Sequence, residues 1–254
     1  MFKYYSIPLL DTAKLIFADK PTLKFSSAFN LNDPFELKFN FKIKLNDRKT
    51  KTLFFKSHPN STQVDFENWK SQVNNNSLLY TEHQMRGELA KQITLSSFSE
   101  VNNSNLMWSH YTNSYQGVCV EYDDMIVNDI KKSSKFFASS HVSYSKNPPI
   151  IYNTDEGDVQ LFKMLFNKQS EWSYEKEFRI VLLSKEDTDY LEISKTNIKS
   201  IILGENIDNA VSKHIVEYCK NNNIKLFYAI TMSENYIVNI KEHQDNILYR
   251  KSFW

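Results

Sequence analysis

Glu171-Trp172-Ser173-Tyr174-Glu175-Lys176-Glu177-Phe178-Arg179 is the segment of this 254-residue chain most densely supplied with groups able to do chemistry. Read as an extended strand over 174–183, it projects Glu175, Glu177 and Arg179 from one face. Lys176, Phe178, Ile180 and Leu182 take the other, largely apolar face. Carboxylates at that spacing stand about 7 Å apart at their Cα atoms. Their like charges raise one pKa while the Arg179 guanidinium opposes the rise, so the pair can hold a sugar hydroxyl and orient an attacking group. The plainer interpretation is an exposed Glu–Arg ladder, which contributes little. Trp172 and Tyr174 weigh against it, because aromatic rings beside carboxylates suit a ligand that stacks as well as hydrogen-bonds.

A second concentration runs from Ser96-Ser97-Phe98-Ser99-Glu100 to Leu106-Met107-Trp108-Ser109-His110-Tyr111. On a short helix His110 stands about 200° around from Trp108, so one faces the core and the other need not. A lone histidine is more often structural than catalytic, and no spacing points to a Ser–His–acid or Cys–His relay. A third is the turn Asn32-Asp33-Pro34-Phe35-Glu36, where Pro34 restricts φ and Asp33 can bond its own backbone. Metal binding is not expected. His58, His83, His110, His141, His214 and His243 show no paired ligand spacing, and the Asn32–Glu36 turn lacks the repeated oxygen ligands of a calcium loop.

The elements that must position these groups alternate without a long linker. Short strands are expected over 2–7, 22–26, 93–98, 117–122, 138–144, 174–183, 190–193, 198–203 and 224–229. Helices are expected over 10–17, 66–73, 82–91, 106–111, 124–132, 158–168 and 208–220, with Asn221–Asn223 as a left-handed stop. Residues 37–60 read as one strand and a loose loop. Strands mixed with segregated helices give an α+β class: a compact mixed or antiparallel sheet core in a single domain over 1–254, with a helical insertion at about 60–91.

Composition narrows the function classes. Hydrophobic residues make up 41% of the chain, including 18 Phe and 14 Tyr, which is ample for a core. A formal net charge of +1 disfavours broad capture of nucleic acid, and the basic strip 131–135 reads as a solvated helix end. Only four glycines are present, too few for a dinucleotide fingerprint or a phosphate loop. Cys119 and Cys219 read as buried core thiols. With no leader pattern and no apolar run near about 18 residues, a cytoplasmic protein outside the membrane is expected. The aromatic tail 249–254 is a candidate to dock on the body or on a second copy.

The three motif segments, in this order, resemble the bacterial domain-of-unknown-function 2971 family. The resemblance rests on Phe2-Lys3-Tyr4, the Asn32–Glu36 turn, Ser97–Glu100, Leu106–Tyr111, the strand Gly117–Glu121, and Lys168 followed by Trp172–Arg179. It implies an accessory or effector domain of bacterial stress and phage-defence loci. A more distant likeness is to ADP-ribosyltransferase folds, with their early Arg or His, Ser-rich strand and later Glu-x-Glu. The matching positions here are Lys3 or Tyr4, Ser97 with Ser99, and Glu175-x-Glu177. The first position departs from the pattern, with Lys or Tyr in place of Arg or His.

That likeness implies NAD as substrate. Glu177 would bond the nicotinamide ribose, Glu175 would orient a protein or nucleic-acid acceptor, and Trp108 or Tyr111 would stack on nicotinamide. Binding positions would include Asn32, Asp33, His110, Trp172 and Arg179. Two other function classes stay open: an inert module that binds a nucleotide or a partner, and a nuclease built from His110 and the carboxylates.

Overall fold

The computed structural model describes residues 1–232 and 236–243. The tail 249–254 lies outside the described residues. Internal contacts divide the chain into two units. One comprises Met1–Ser27, Thr94–His141 and the chain from Ser173 onward; the other comprises Ala28–Ile93 and Val142–Trp172.

The first unit is carried by a sheet of ten strands among the described residues. They are β1 (Phe2–Tyr5), β2 (Thr22–Ser27), β3 (Ile93–Ser99), β4 (Val118–Tyr122), β5 (Phe136–His141), β6 (Glu177–Leu183), β7 (Thr188–Glu192), β8 (Ile198–Gly204), β9 (Lys225–Thr231) and β10 (Val238–Glu242). Eight lie in the order β7-β2-β3-β1-β4-β8-β9-β10. Neighbours along it run antiparallel except β8 and β9. A parallel pair needs a crossover, and the helix Asn209–Asn222 supplies it. Asp208 caps that helix by accepting from the Ala210 and Val211 amides, and Asn223 ends it at φ 55°, as the sequence predicts. β6 pairs with β3, and β5 pairs with β6. The α+β class with a mostly antiparallel sheet is therefore what the chain adopts.

Alternation along the strands covers both faces. Tyr5, Val118, Val120, Tyr122, Ile201 and Leu203 join one core, into which the helices Leu10–Ile16 and Asn209–Asn222 insert Ala13, Ile16, Val211 and Ile215. Tyr4, Cys119 and Ile202, one residue out of phase, join another with Met107 and Trp108 of the helix Asn105–Tyr111. β4 is thus covered on both sides. Two glycines serve close backbone approach: a Cβ on Gly117 would stand 1.9 Å from the Tyr5 carbonyl oxygen, and one on Gly204 2.2 Å from that of Tyr115.

The second unit holds four helices, Arg48–Ser57, Gln63–Gln72, Asn75–Ala90 and Gly157–Leu165. It also holds two small parallel pairs, Asn40–Lys42 with Ile150–Tyr152 and Ser143–Ser145 with Asn167–Gln169. Its core is Phe39, Ile151 and Met164, backed by Phe41, Met85 and Leu89. The loose loop expected within 37–60 is corrected by Arg48–Ser57. That helix buries only Thr50 and Phe54, so its apolar period is too sparse to read. The helix expected to 168 stops at Leu165, and Lys168 lies on the strand Asn167–Gln169. No helix among the described residues is long and apolar enough to cross a membrane.

Candidate functional site

The segment read as one strand over 174–183 changes conformation inside its motif. Ser170–Glu175 is a 3-10 helix, Lys176 takes a left-handed φ of 43°, and β6 begins only at Glu177. Glu175 therefore does not share an extended face with Glu177 and Arg179; a backbone reversal intervenes. An exposed ladder is also ruled out, because Glu175, Glu177 and Arg179 keep 3%, 2% and 1% of their surface.

β3, the neighbouring strand, supplies two of their partners. Ser97 and Ser99, two residues apart, direct their hydroxyls to the same segment. The Ser97 hydroxyl donates to Glu177 Oε1 at 2.6 Å, and the Ser99 hydroxyl donates to the Glu175 carbonyl, also at 2.6 Å. Arg179 grips Glu177 with two donors, Nε to Oε1 at 2.8 Å and Nη2 to Oε2 at 3.2 Å. Such a fork fixes the plane of the carboxylate as well as its charge. For an ion pair buried this deeply, breaking the pair by removing one member costs about 3–5 kcal/mol.

β1 brings in Lys3. Its ammonium donates to the Ser97 carbonyl at 3.2 Å and lies 5.4 Å and 5.5 Å from the ring centres of Tyr5 and Phe98. Burial pushes the Lys3 pKa down to about 7, with Glu177 opposing the shift and Lys24 reinforcing it. Near neutrality this amine divides between its charged and neutral forms.

The helix Asn105–Tyr111 supplies the remaining groups. Ser104 caps it by accepting from the Met107 amide. Tyr111 donates its hydroxyl to Glu175 Oε1 in a short hydrogen bond. Burial first, and the Glu175 charge second, hold the Tyr111 pKa above the ordinary tyrosine value, so the phenol keeps its proton. His110 is exposed and shares a hydrogen bond of 3.0 Å with the Tyr174 hydroxyl. That link between helix and 3-10 turn is not legible in the sequence, where the two residues lie 64 apart.

Trp108 requires a correction. Its ring is fully buried, stacked on Tyr115 at 5.5 Å and met edge-on by Tyr4 at 5.4 Å, and its Nε1 donates to the Asn102 carbonyl at 2.7 Å. It anchors the helix and presents no face to a nicotinamide. Tyr4 shares that structural role, its hydroxyl donating to the Val101 carbonyl at 2.9 Å.

Hydrogen bonds thus join Lys3, Ser97, Glu177 and Arg179 in one group and Ser99, Tyr111 and Glu175 in another, both along β3. The expected residues Asn32, Asp33 and Trp172 belong to the second unit. There Asn32 is exposed, Asp33 is buried and accepts from the Phe35 amide at 2.8 Å, and Trp172 lies under the Lys168 ammonium at 4.8 Å. Among the described residues no group of three or more His, Cys, Asp or Glu is placed to hold a metal ion.

Residues 107–180 match the model of a family described as "Protein of unknown function (DUF2971)", which bears out the family resemblance over that stretch. No curated protein and no solved structure matches the chain.

Proposed function

We propose that the first unit cleaves the nicotinamide–ribose bond of NAD and transfers the ADP-ribosyl group to an acceptor in the bacterial cytoplasm, as an effector of stress or phage defence. One observation carries this reading. The three positions that the ADP-ribosyltransferase likeness orders along the chain, Lys3, Ser97 and Glu177, stand on the strands β1, β3 and β6, in which β3 pairs with both others. They are joined through Lys3 to the Ser97 carbonyl and the Ser97 hydroxyl to Glu177.

In this scheme the C–N bond breaks with its electron pair leaving on nicotinamide. Glu177, its plane set by Arg179 and Ser97, has to be uncovered by local opening before it faces the positive charge that develops on the ribose, a charge-placement effect. The acceptor then adds to the same carbon and gives its proton toward Glu175, beside the protonated Tyr111. Lys3 stands where the likeness has Arg or His and binds the nucleotide through its ammonium.

The test is incubation with NAD, following free nicotinamide by chromatography, for the wild type, Glu177→Gln and Ser97→Ala. The expected result is release by the wild type and a loss of roughly 100-fold or more in Glu177→Gln. Because Gln at 177 costs Arg179 part of its partner, circular dichroism accompanies each variant. Ser97→Ala, which deletes one hydroxyl, is expected to lose activity while keeping the fold. Equal release by the wild type and a folded Glu177→Gln would overturn the assignment.

The deep burial of the Glu177–Arg179 pair favours a second reading, a module that binds a nucleotide without turnover. Saturable binding of NAD in calorimetry, with no nicotinamide released in the presence of cell extract as a source of acceptor, would establish it.

A further inference from the structure

We infer that the second unit carries a binding site of its own for a nucleotide with a terminal phosphate, set in the cavity between its small sheet and the Asn32–Glu36 turn. The cavity measures about 180 Å³, and its walls include Phe35, Lys38, Lys146, Asn167, Lys168 and Gln169. Three of its nine lining residues are lysines and none is acidic, so it suits an anion and repels a cation. Glu82, 3.6 Å from Lys38, offsets part of one charge from outside the lining.

The floor is rigid. Ser143–Ser145 and Asn167–Gln169 pair in parallel with Tyr144 opposite Lys168, and the Ser145 hydroxyl reaches the Asn147 carbonyl at 2.7 Å. Lys168 is buried, its ammonium over the Trp172 ring, an arrangement that keeps a cation in place at low exposure. Asn167 and Gln169 add neutral polar groups of the kind that fix a ligand's orientation.

The wall formed by Phe35 gives the ligand its second feature. Phe35 keeps 56% of its surface exposed, yet its backbone is tightly held. Its amide is bound by buried Asp33, the Arg86 guanidinium donates to the Pro34 carbonyl at 2.7 Å, and Leu37 takes a left-handed φ of 60° in the core. A branched residue in that conformation is strained, and strain of this kind persists where the surroundings over-determine it. The turn is thus built to present an aromatic face beside three lysines, of which Lys146 is the exposed one. A flat base stacking on Phe35 with its phosphate among the lysines meets both features.

The experiment is calorimetric titration of the full-length protein with adenosine monophosphate, inorganic phosphate and adenosine. The variants are Lys146→Ala, Phe35→Ala and, as a control elsewhere in the unit, Lys56→Ala. Lys146, Phe35 and Lys56 are exposed, so the fold survives each change. Adenosine monophosphate is expected to bind, at least 10-fold more weakly to Lys146→Ala and to Phe35→Ala and unchanged to Lys56→Ala. Phosphate alone should lose affinity with Lys146→Ala only. Binding should persist in Glu177→Gln, which separates this site from the proposed NAD chemistry. Absence of binding, or binding indifferent to both Lys146 and Phe35, would overturn the inference.

Discussion

Lys3 shows how one side chain's surroundings become a measurable property of the whole chain. Its folded-state pKa is about 7, while the ordinary value is 10.5. Below pH 7 both folded and unfolded chains hold the proton, and the folded state bears the full cost of a buried ammonium. Between these values the unfolded chain binds more protons than the folded one, so stability from this group rises with pH. Wild type and Lys3→Met, compared by urea unfolding from pH 6 to 9.5, should differ by an amount that shifts in favour of the wild type as pH rises above 7. A difference independent of pH would place the Lys3 ammonium in ordinary solvent. Ser97 and Ser99 make a related point, since each hydroxyl has a defined acceptor that no local pattern announces.

At the scale of the element, the chain's four glycines divide by duty. Gly87 lies within the helix Asn75–Ala90 with nothing within 4 Å of an added Cβ. Gly204 closes β8 against the Tyr115 backbone, whose oxygen, carbonyl carbon and Cα would lie 2.2, 2.7 and 3.0 Å from such an atom. Gly87→Ala should stabilise the protein by about 0.5–1 kcal/mol through helix propensity and a stiffer unfolded chain. Gly204→Ala should destabilise it by about 2–4 kcal/mol, since only backbone can give way. Thermal melts of the two variants check both signs, and a neutral Gly204→Ala would mean that the crossing is looser than described. The Tyr115 carbonyl is held there by three consecutive left-handed residues, Asn113, Ser114 and Tyr115, with φ of 51°, 56° and 66°. This stretch joins the Asn105–Tyr111 helix to β4, so a site residue such as Tyr111 owes its position partly to a strained connection.

For the molecule as a whole, depth of burial is uneven in a way that hydrogen exchange can read. Val118, Cys119 and Val120 of β4 are fully covered, whereas the helix Gln63–Gln72 buries Phe66 alone. Amides of β1, β4 and β8 should exchange slowest, and those of Gln63–Gln72 should exchange much faster, by local opening. Comparable protection in both would show that they unfold as one cooperative block. The first unit is assembled from three stretches of chain and the second from two, so each depends on pairings between residues far apart in sequence.

Much of this protein is legible along the chain. Alternation over 117–122, the helix expected over 208–220 and its stop at Asn221–Asn223 follow from local pattern, because period and stop signals act over a few residues. The α+β class follows from their order, and the chemistry-bearing segments are visible as concentrations of residue types. Local pattern misled at Glu175, where a 3-10 turn and the left-handed Lys176 replace the expected strand. It also left undecided whether Glu177 and Arg179 face water or protein, since a two-residue period says which side chains share a face but not what covers it. That depends on long-range pairing, which lays β3 beside β6 and β1 beside β3. The same pairing turned Trp108 into a core anchor and Lys3 into an amine poised near neutrality, because desolvation depends on neighbours that are distant along the chain.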